Sequence, residues 1–282
     1  MYRRPDDLGQ ALELLSMHRP AVLAGGTDFY PARVGKPEPP AVLDLSRVAG
    51  LRGIEASAHG WRIGALTTWT DVARAPLPPL FAALQQAAAE VGGPQVQNRG
   101  TLGGNLCNAS PAADGVPALL ALGAAVEVAS RRGRRELALA DFLLGPRRTA
   151  LAGDELLVAI VVPARGPAAR SRFLKLGHRR YLVISIAMVA AAIDVDAQDR
   201  AVSVALAVGS CSAVARRLPA LEERLLGLPR AALGARAASL LREEAAVLLA
   251  PLSPIDDVRG SGHYRLDAVA TLLPRALEDL AT

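Results

Sequence analysis

Cysteine and histidine are scarce in this 282-residue chain. Its two cysteines, Cys107 and Cys211, lack metal-ligand spacing, and the four histidines are scattered, so no ligand set for an iron–sulfur cluster or a zinc ion is present. No disulfide is expected. Long apolar runs are missing as well. The longest, Leu182 to Ile193, has 12 residues, contains Ser185 and stops at Asp194; it is too short to cross a bilayer and better suits a buried strand. No apolar leader follows the basic Arg3-Arg4 pair, where Asp6 and Asp7 stand instead, so a cytoplasmic chain without a membrane span is expected. Aromatics are few, with four Phe and four Tyr. The formal net charge is +5 and arginine greatly outnumbers lysine. Those arginines are dispersed and lack aromatic company, which argues against nucleic-acid binding and for a solvated surface, with acidic protein partners as the lesser use.

The usual nucleotide and nucleophile fingerprints are absent too. No G-x-G-x-x-G occurs, and the Gly35-Lys36 pair lacks the upstream glycine of a P-loop because Tyr30 stands there. There is no G-x-S-x-G elbow and no histidine in a triad context. A Rossmann dehydrogenase and a Walker ATPase are thereby excluded.

What is present is globular. Hydrophobic residues make up 51% and charged residues 21%, enough to bury a large core or two smaller ones. Helical spacing follows Asp6-Asp7, short strands are predicted at 21–24 and 41–45, and a hairpin over 51–66 turns at His59-Gly60. Helices are predicted from Thr70 and over 79–91. The polar segment from Gln95 to Ser110 has neither helical nor strand period and is predicted as a long functional loop. A short helix at 114–122 and strands at 125–129 and 156–162 follow. Pro163-Ala-Arg-Gly-Pro167 is the best boundary. Beyond it, strands at 172–176, 184–195 and 202–208 precede helices at 218–226, 230–249 and 264–280, an α+β arrangement.

Two glycine segments stand out: Ala24-Gly-Gly-Thr-Asp28 at the end of a predicted strand, and Thr101-Leu-Gly-Gly-Asn105. Glycine lets backbone N–H groups approach an anion, and a threonine hydroxyl adds a donor. One such turn is commonplace, but two suit a ligand with linked phosphates.

These residues resemble the flavoprotein subunit of the xanthine dehydrogenase and carbon monoxide dehydrogenase family of molybdenum hydroxylases. Ala24–Asp28 resembles its first pyrophosphate loop, and Asn98-Arg-Gly-Thr-Leu-Gly-Gly-Asn-Leu-Cys-Asn-Ala-Ser-Pro-Ala-Ala-Asp114 its second. Phe173–Arg180 and Asp257–Arg265 are similar to two signatures of its C-terminal domain. The resemblance implies an α+β fold: an FAD-binding PCMH-type domain of two α/β subdomains over 1–165, then a smaller CO dehydrogenase flavoprotein-like domain over 168–282, with a short antiparallel sheet and helices. It implies FAD as the sole cofactor, bound noncovalently since neither loop offers a histidine, and no metal.

Carried over residue by residue, Val22, Leu23, Ala24, Gly25, Gly26, Thr27, Asp28 and Phe29 line the first loop. Thr101, Leu102, Gly103, Gly104 and Asn105, flanked by Val96 and Asn108, form the second. Asp114 matches a carboxylate touching the cofactor, although its position alone equally suits a helix N-cap. Leu156, Leu157 and Lys175 match positions near the flavin. Tyr181 matches a region that shields the flavin or gates nicotinamide in relatives, against plain packing. Tyr264 is expected to anchor its helix, and Trp61 and Trp69 to be core. No catalytic residue is expected here.

The implied setting is a heterotrimer with a large molybdopterin-binding subunit and a small [2Fe–2S] subunit. Electrons pass from the clusters through FAD to an external acceptor, NAD, quinone or oxygen. Rival readings are a stand-alone FAD-dependent oxidase and a nucleotide-binding assembly subunit without redox work. The substrate is chosen in another chain, so purines, aldehydes, N-heterocycles, carbon monoxide and acyl-CoA thioesters all stay open.

Overall fold

The structure, a computed structural model, describes residues 1–281. The chain opens with β1 (Tyr2–Arg3), α1 (Leu8–His18), β2 (Ala21–Leu23) and β3 (Val42–Asp44). Asp7 starts α1 by accepting from the Gln10 amide at 2.9 Å, and left-handed Arg19 ends it. β1 and β2 lie parallel to β3 on either side of it. The turn after Leu23 therefore leaves the carboxyl end of a parallel sheet, the edge at which such sheets take ligands.

A second layer follows. β4 (Ile54–Ser57) and β5 (Gly60–Gly64) form the expected hairpin. Helix α2 (Trp69–Arg74) begins on a reciprocal capping box between Thr68 and Asp71. A 3-10 turn at Pro79–Phe81 leads into α3 (Ala82–Glu90). Then come α4 (Pro94–Arg99), α5 (Leu102–Asn108) and α6 (Gly115–Ala121), followed by β6 (Ala125–Ser130), β7 (Gly133–Ala138) and α7 (Leu139–Phe142). The small hairpin of β8 (Leu143–Gly145) and β9 (Arg148–Thr149) precedes β10 (Leu156–Pro163). The antiparallel sheet runs β4-β5-β10-β6-β7.

The departures from the sequence reading here include the short α7, β8 and β9, which no pattern marks, and two larger ones. The segment from Gln95 to Ser110 is largely helix, not irregular loop. Helices α4 and α5 are too short for a period to show, and their signals are local. Pro94 sits in the first turn of α4, and the Thr101 hydroxyl caps α5 by accepting from the Gly104 amide at 3.0 Å. Strand β7 carries arginines and is almost wholly exposed; as a charged edge strand it has no apolar face to reveal it.

The remaining elements are β11 (Arg170–Leu176), β12 (Ala187–Val195), β13 (Ala201–Gly209) and β14 (Arg216–Arg217), in one antiparallel sheet, then α8 (Pro219–Glu223), α9 (Leu233–Leu248) and α10 (Gly262–Asp279). Both faces of β12 are covered. Met188, Ala190 and Ala192 join the core that holds α3 and α6, whereas Ala187, Val189, Ala191 and Ile193 join the core beneath α9 and α10. A strand buried on both faces needs apolar residues at every position, which accounts for the unbroken run that the sequence shows there.

The part of the chain after Pro167 thus shares a core with the helices before it. Polar bonds cross the same seam. Ser171 Oγ donates to Leu80 O at 2.6 Å and accepts from the Ala83 amide at 2.9 Å, and the Phe173 amide donates to Gln86 Oε1 at 2.8 Å. Helix α10 is anchored by Arg265, not by the expected Tyr264, whose side chain is largely exposed. Arg265 is buried, and its guanidinium donates to Ile186 O, Ser210 O and Asp257 Oδ1. Trp69 is core as expected, and half-buried Trp61 packs edge-on to Phe81. Among the described residues, no helix is long and apolar enough to cross a membrane.

Candidate functional site

A cavity of about 500 Å³ lies between the parallel sheet and the helical layer, a size that suits an organic cofactor. Its walls include Val22, the whole turn Ala24–Phe29, Val96, Thr101, Gly103, Gly104, Asn105, Asn108, Leu156 and Leu157. Most residues singled out from the sequence therefore meet around one space, although they come from β2, α4, α5 and β10.

The two glycine segments do different work. In the first, the amides of Gly25, Gly26, Thr27, Asp28 and Phe29 find no acceptor among the described residues. A run of N–H groups with no internal use forms an anion-binding concavity. The turn is pressed against the α4–α5 junction: a Cβ on Gly25 would stand 1.9 Å from Arg99 O, so only glycine fits. In the second, the amides from Leu102 to Asn105 are already spent. Leu102 N–H donates to Thr67 O at 3.0 Å, Gly103 N–H to Ala65 O at 2.8 Å and Gly104 N–H to the Thr101 hydroxyl. This segment contributes a close-packed wall, and its free capacity lies in side chains. Asn105 Oδ1 is buried with no partner among the described residues, an acceptor that a ligand donor would satisfy.

Charged groups ring the cavity. Asn108 donates to Asp28 Oδ1 at 3.1 Å and stands 3.5 Å from Arg147 Nη1. Glu155, at the start of β10, receives both arms of Arg135 at 2.8 and 2.7 Å and the Ala152 amide at 2.8 Å. Those bonds, Arg135 foremost, hold its carboxyl down to about 2.

Five of the residues singled out lie elsewhere. Leu23 and Leu102 are buried behind the turns that they support. Asp114 neither caps α6 nor lines the cavity. It pairs with Lys175 at 3.0 Å and accepts from Ser185 Oγ at 2.8 Å, in a buried cluster that joins α6 to β11. Burial pushes the Asp114 carboxyl up, and Lys175 and Ser185 oppose that. Lys175 faces a second hollow of about 540 Å³, lined also by Gln86, Glu90, Phe173 and Arg180. Tyr181 is exposed, and its hydroxyl accepts from Arg180 Nε at 2.9 Å. Conversely, the cavity wall includes Arg33, Trp69, Arg147 and Glu155, which no local pattern marks.

The residues fit a dinucleotide: free amides for its phosphates, a buried acceptor in Asn105 Oδ1, and apolar walls at Trp69, Val91 and Val96. The fold and site define a nucleotide-diphosphate-binding α+β protein. Comparison with known proteins narrows this. The family described as the FAD binding domain in molybdopterin dehydrogenase matches residues 1–165, and the CO dehydrogenase flavoprotein C-terminal domain matches residues 172–280.

The nicotine 6-hydroxylase medium subunit of Paenarthrobacter nicotinovorans is 32% identical, across 98% of this chain and 95% of that one. The nicotinate dehydrogenase FAD-subunit of Eubacterium barkeri is 34% identical, across 80% and 79%. Among solved structures, a chain of the reconstituted CO dehydrogenase from Oligotropha carboxidovorans superposes with a TM-score of 0.86, at 26% identity over 99% of this chain and 96% of that one. The chain belongs to the family of FAD-binding medium subunits of molybdenum hydroxylases, and is an oxidoreductase subunit.

Proposed function

We propose that this chain works in the cytoplasm as the electron-transfer subunit of a heterotrimer, beside a large molybdopterin-binding subunit and a small [2Fe–2S] subunit. Bound FAD supplies the redox chemistry that relays electrons from the clusters to an external acceptor, NAD, a quinone or oxygen. The observation that carries this reading is the Gly25–Phe29 turn, whose unspent amides line the cavity beside the orphaned Asn105 Oδ1. In it, Gly25, Gly26, Thr27 and Asp28 hold the diphosphate through backbone N–H groups. Thr101 adds a hydroxyl, while Leu156 and Leu157 at the start of β10 wall the cavity against water. Asp114 and Lys175 act from outside that wall, holding the segment that joins β11 to β12 through Ser185, and Tyr181 stands exposed on that segment.

We divide the chain into an FAD-binding part over 1–165 and a second part over 168–282, which closes over α3 and α6 and does not stand apart. Purification from the native source tests the assignment. The expected product is a complex of three chains with the visible absorbance bands of a flavin. A folded chain that neither carries flavin nor takes up added FAD overturns the reading; a lone polypeptide that turns over a substrate overturns the heterotrimer.

A further inference from the structure

We propose that Arg33 and Arg147 form the subsite for the AMP half of FAD, and that this pair makes the chain select FAD over FMN. The inference rests on the FAD reading above and assigns two residues that no motif covers.

Both arginines line the cavity. Elsewhere many guanidinium groups are paired with carboxylates, as Arg52 with Asp71, Arg62 with Glu127, Arg135 with Glu155 and Arg217 with Glu222, while others, such as Arg165 and Arg200, donate to neutral oxygens. Among the described residues, neither Arg33 nor Arg147 has such a partner. Of the two acidic groups that share the wall with them, Glu155 is already neutralised by Arg135, and Asp28 accepts from Asn108 and forms no ion pair with either arginine among the described residues. Two unpaired guanidinium groups facing one cavity call for a ligand with negative charge or a π face.

Each is also held in place before any ligand arrives. The Arg33 guanidinium lies 3.7 Å from the centroid of the Phe29 ring, and its Nη1 donates to Phe29 O at 2.9 Å. A planar cation stacked on one ring presents a second flat face, and adenine is a ring of matching shape. Arg147 sits at the tip of the β8–β9 hairpin with φ 57, a left-handed conformation that is costly for a non-glycine residue. Its amide donates to the carbonyl of Ala109, itself left-handed at φ 44, at 3.0 Å. Two adjoining strained residues thus turn the hairpin tip toward the cavity, where Arg147 meets Asn108 and, through it, Asp28. Arg33 belongs to the same cluster, because the Ala32 amide donates to Asp28 O at 3.1 Å.

The ends of the cavity differ in chemistry. Near the start of α5 the walls are apolar, with Trp69, Val91 and Val96. Near its far end, roughly 10 Å away at 1.5 Å per residue, stand the two arginines. FMN and FAD share the flavin, the ribityl chain and one phosphate. Only FAD adds a second phosphate and an adenosine, the groups that a cationic, stacking end would recognise.

The test uses the full chain, freed of flavin and shown to be folded by circular dichroism, titrated with FAD and with FMN by flavin fluorescence. In Arg147→Gln and Arg33→Gln, FAD affinity is expected to fall about 10- to 100-fold, the worth of one charge-assisted contact, while FMN affinity holds. Arg147→Lys, which keeps the charge, is expected to restore part of the loss and serves as the control for folding. Equal losses for FAD and FMN, or unchanged FAD affinity in the double variant, overturn the subsite. Failure of the unaltered chain to bind FAD overturns the cofactor reading instead.

Discussion

Replacing Glu155 by glutamine separates the electrostatic support of the cavity wall from its shape. The carboxyl stands at about 2 against an ordinary 4.5, because Arg135 grips both its oxygens and the Ala152 amide adds a third bond. One pH unit of difference corresponds to about 1.36 kcal/mol. The ionised side chain therefore contributes about 2 to 3 kcal/mol at neutral pH, after allowance for the solvent reaching half-exposed Arg135. A carboxylate depressed in the folded state keeps its full contribution above its ordinary value and loses it as pH falls toward the folded one. The stabilisation is thus complete above about pH 5 and fades between 4.5 and about 2.

The assay is urea unfolding of the unaltered chain and Glu155→Gln in parallel at steps from pH 7 to pH 3. Other depressed carboxylates, such as Asp71 and Asp257, are common to both proteins, so the difference between the two curves isolates Glu155. That difference should be about 2 kcal/mol at pH 7 and shrink steadily below pH 4.5. A gap that stays constant down to pH 3 would refute the assignment of the stabilisation to this charge.

Two further substitutions probe the site and the seam. Gly25→Ala places a methyl group 1.9 Å from Arg99 O, so the turn must move off the α4–α5 junction; flavin affinity measured by equilibrium titration should drop at least about 10-fold, with about 1 to 3 kcal/mol of stability lost to overpacking. Lys175→Met leaves Asp114 buried with only Ser185 for company, and denaturant unfolding at pH 7 should show about 3 to 5 kcal/mol of destabilisation. Adding Asp114→Asn to Lys175→Met should recover much of that, since the uncompensated charge is what costs most.

The contrast between the two glycine segments shows where local sequence stops informing. Both read as a Gly-Gly turn beside a threonine, yet only the first keeps its amides free. What spends the amides of the second is the packing of residues 101–104 onto Ala65 and Thr67, a long-range contact with no trace in the segment itself. Strand and helix positions were legible wherever one face is buried and the other exposed. They failed at α4 and α5, each under two turns long, at β7, whose exposed arginines carry no apolar face, and at the two- to four-residue elements β1, α7, β8, β9 and β14, too short to show a period.

Lys175 follows the same logic. As a lone lysine it reads as surface, and it is buried because Asp114 and Ser185, distant in sequence, converge on it. The cavity arginines are the hardest case. In a chain with so many arginines, the identity of Arg33 or Arg147 signals nothing. What sets them apart is that they line the cavity with no carboxylate partner among the described residues and, for Arg147, a strained backbone. The proposed site gathers what the fold leaves available among the described residues: five amides without an acceptor, one buried amide oxygen without a donor, and two guanidinium groups without a carboxylate. All of them belong to residues that line one cavity, and a stable fold seldom leaves so many buried amides without an acceptor, so the same tertiary packing that hides them from the sequence is what supports the proposal of a ligand carrying phosphates.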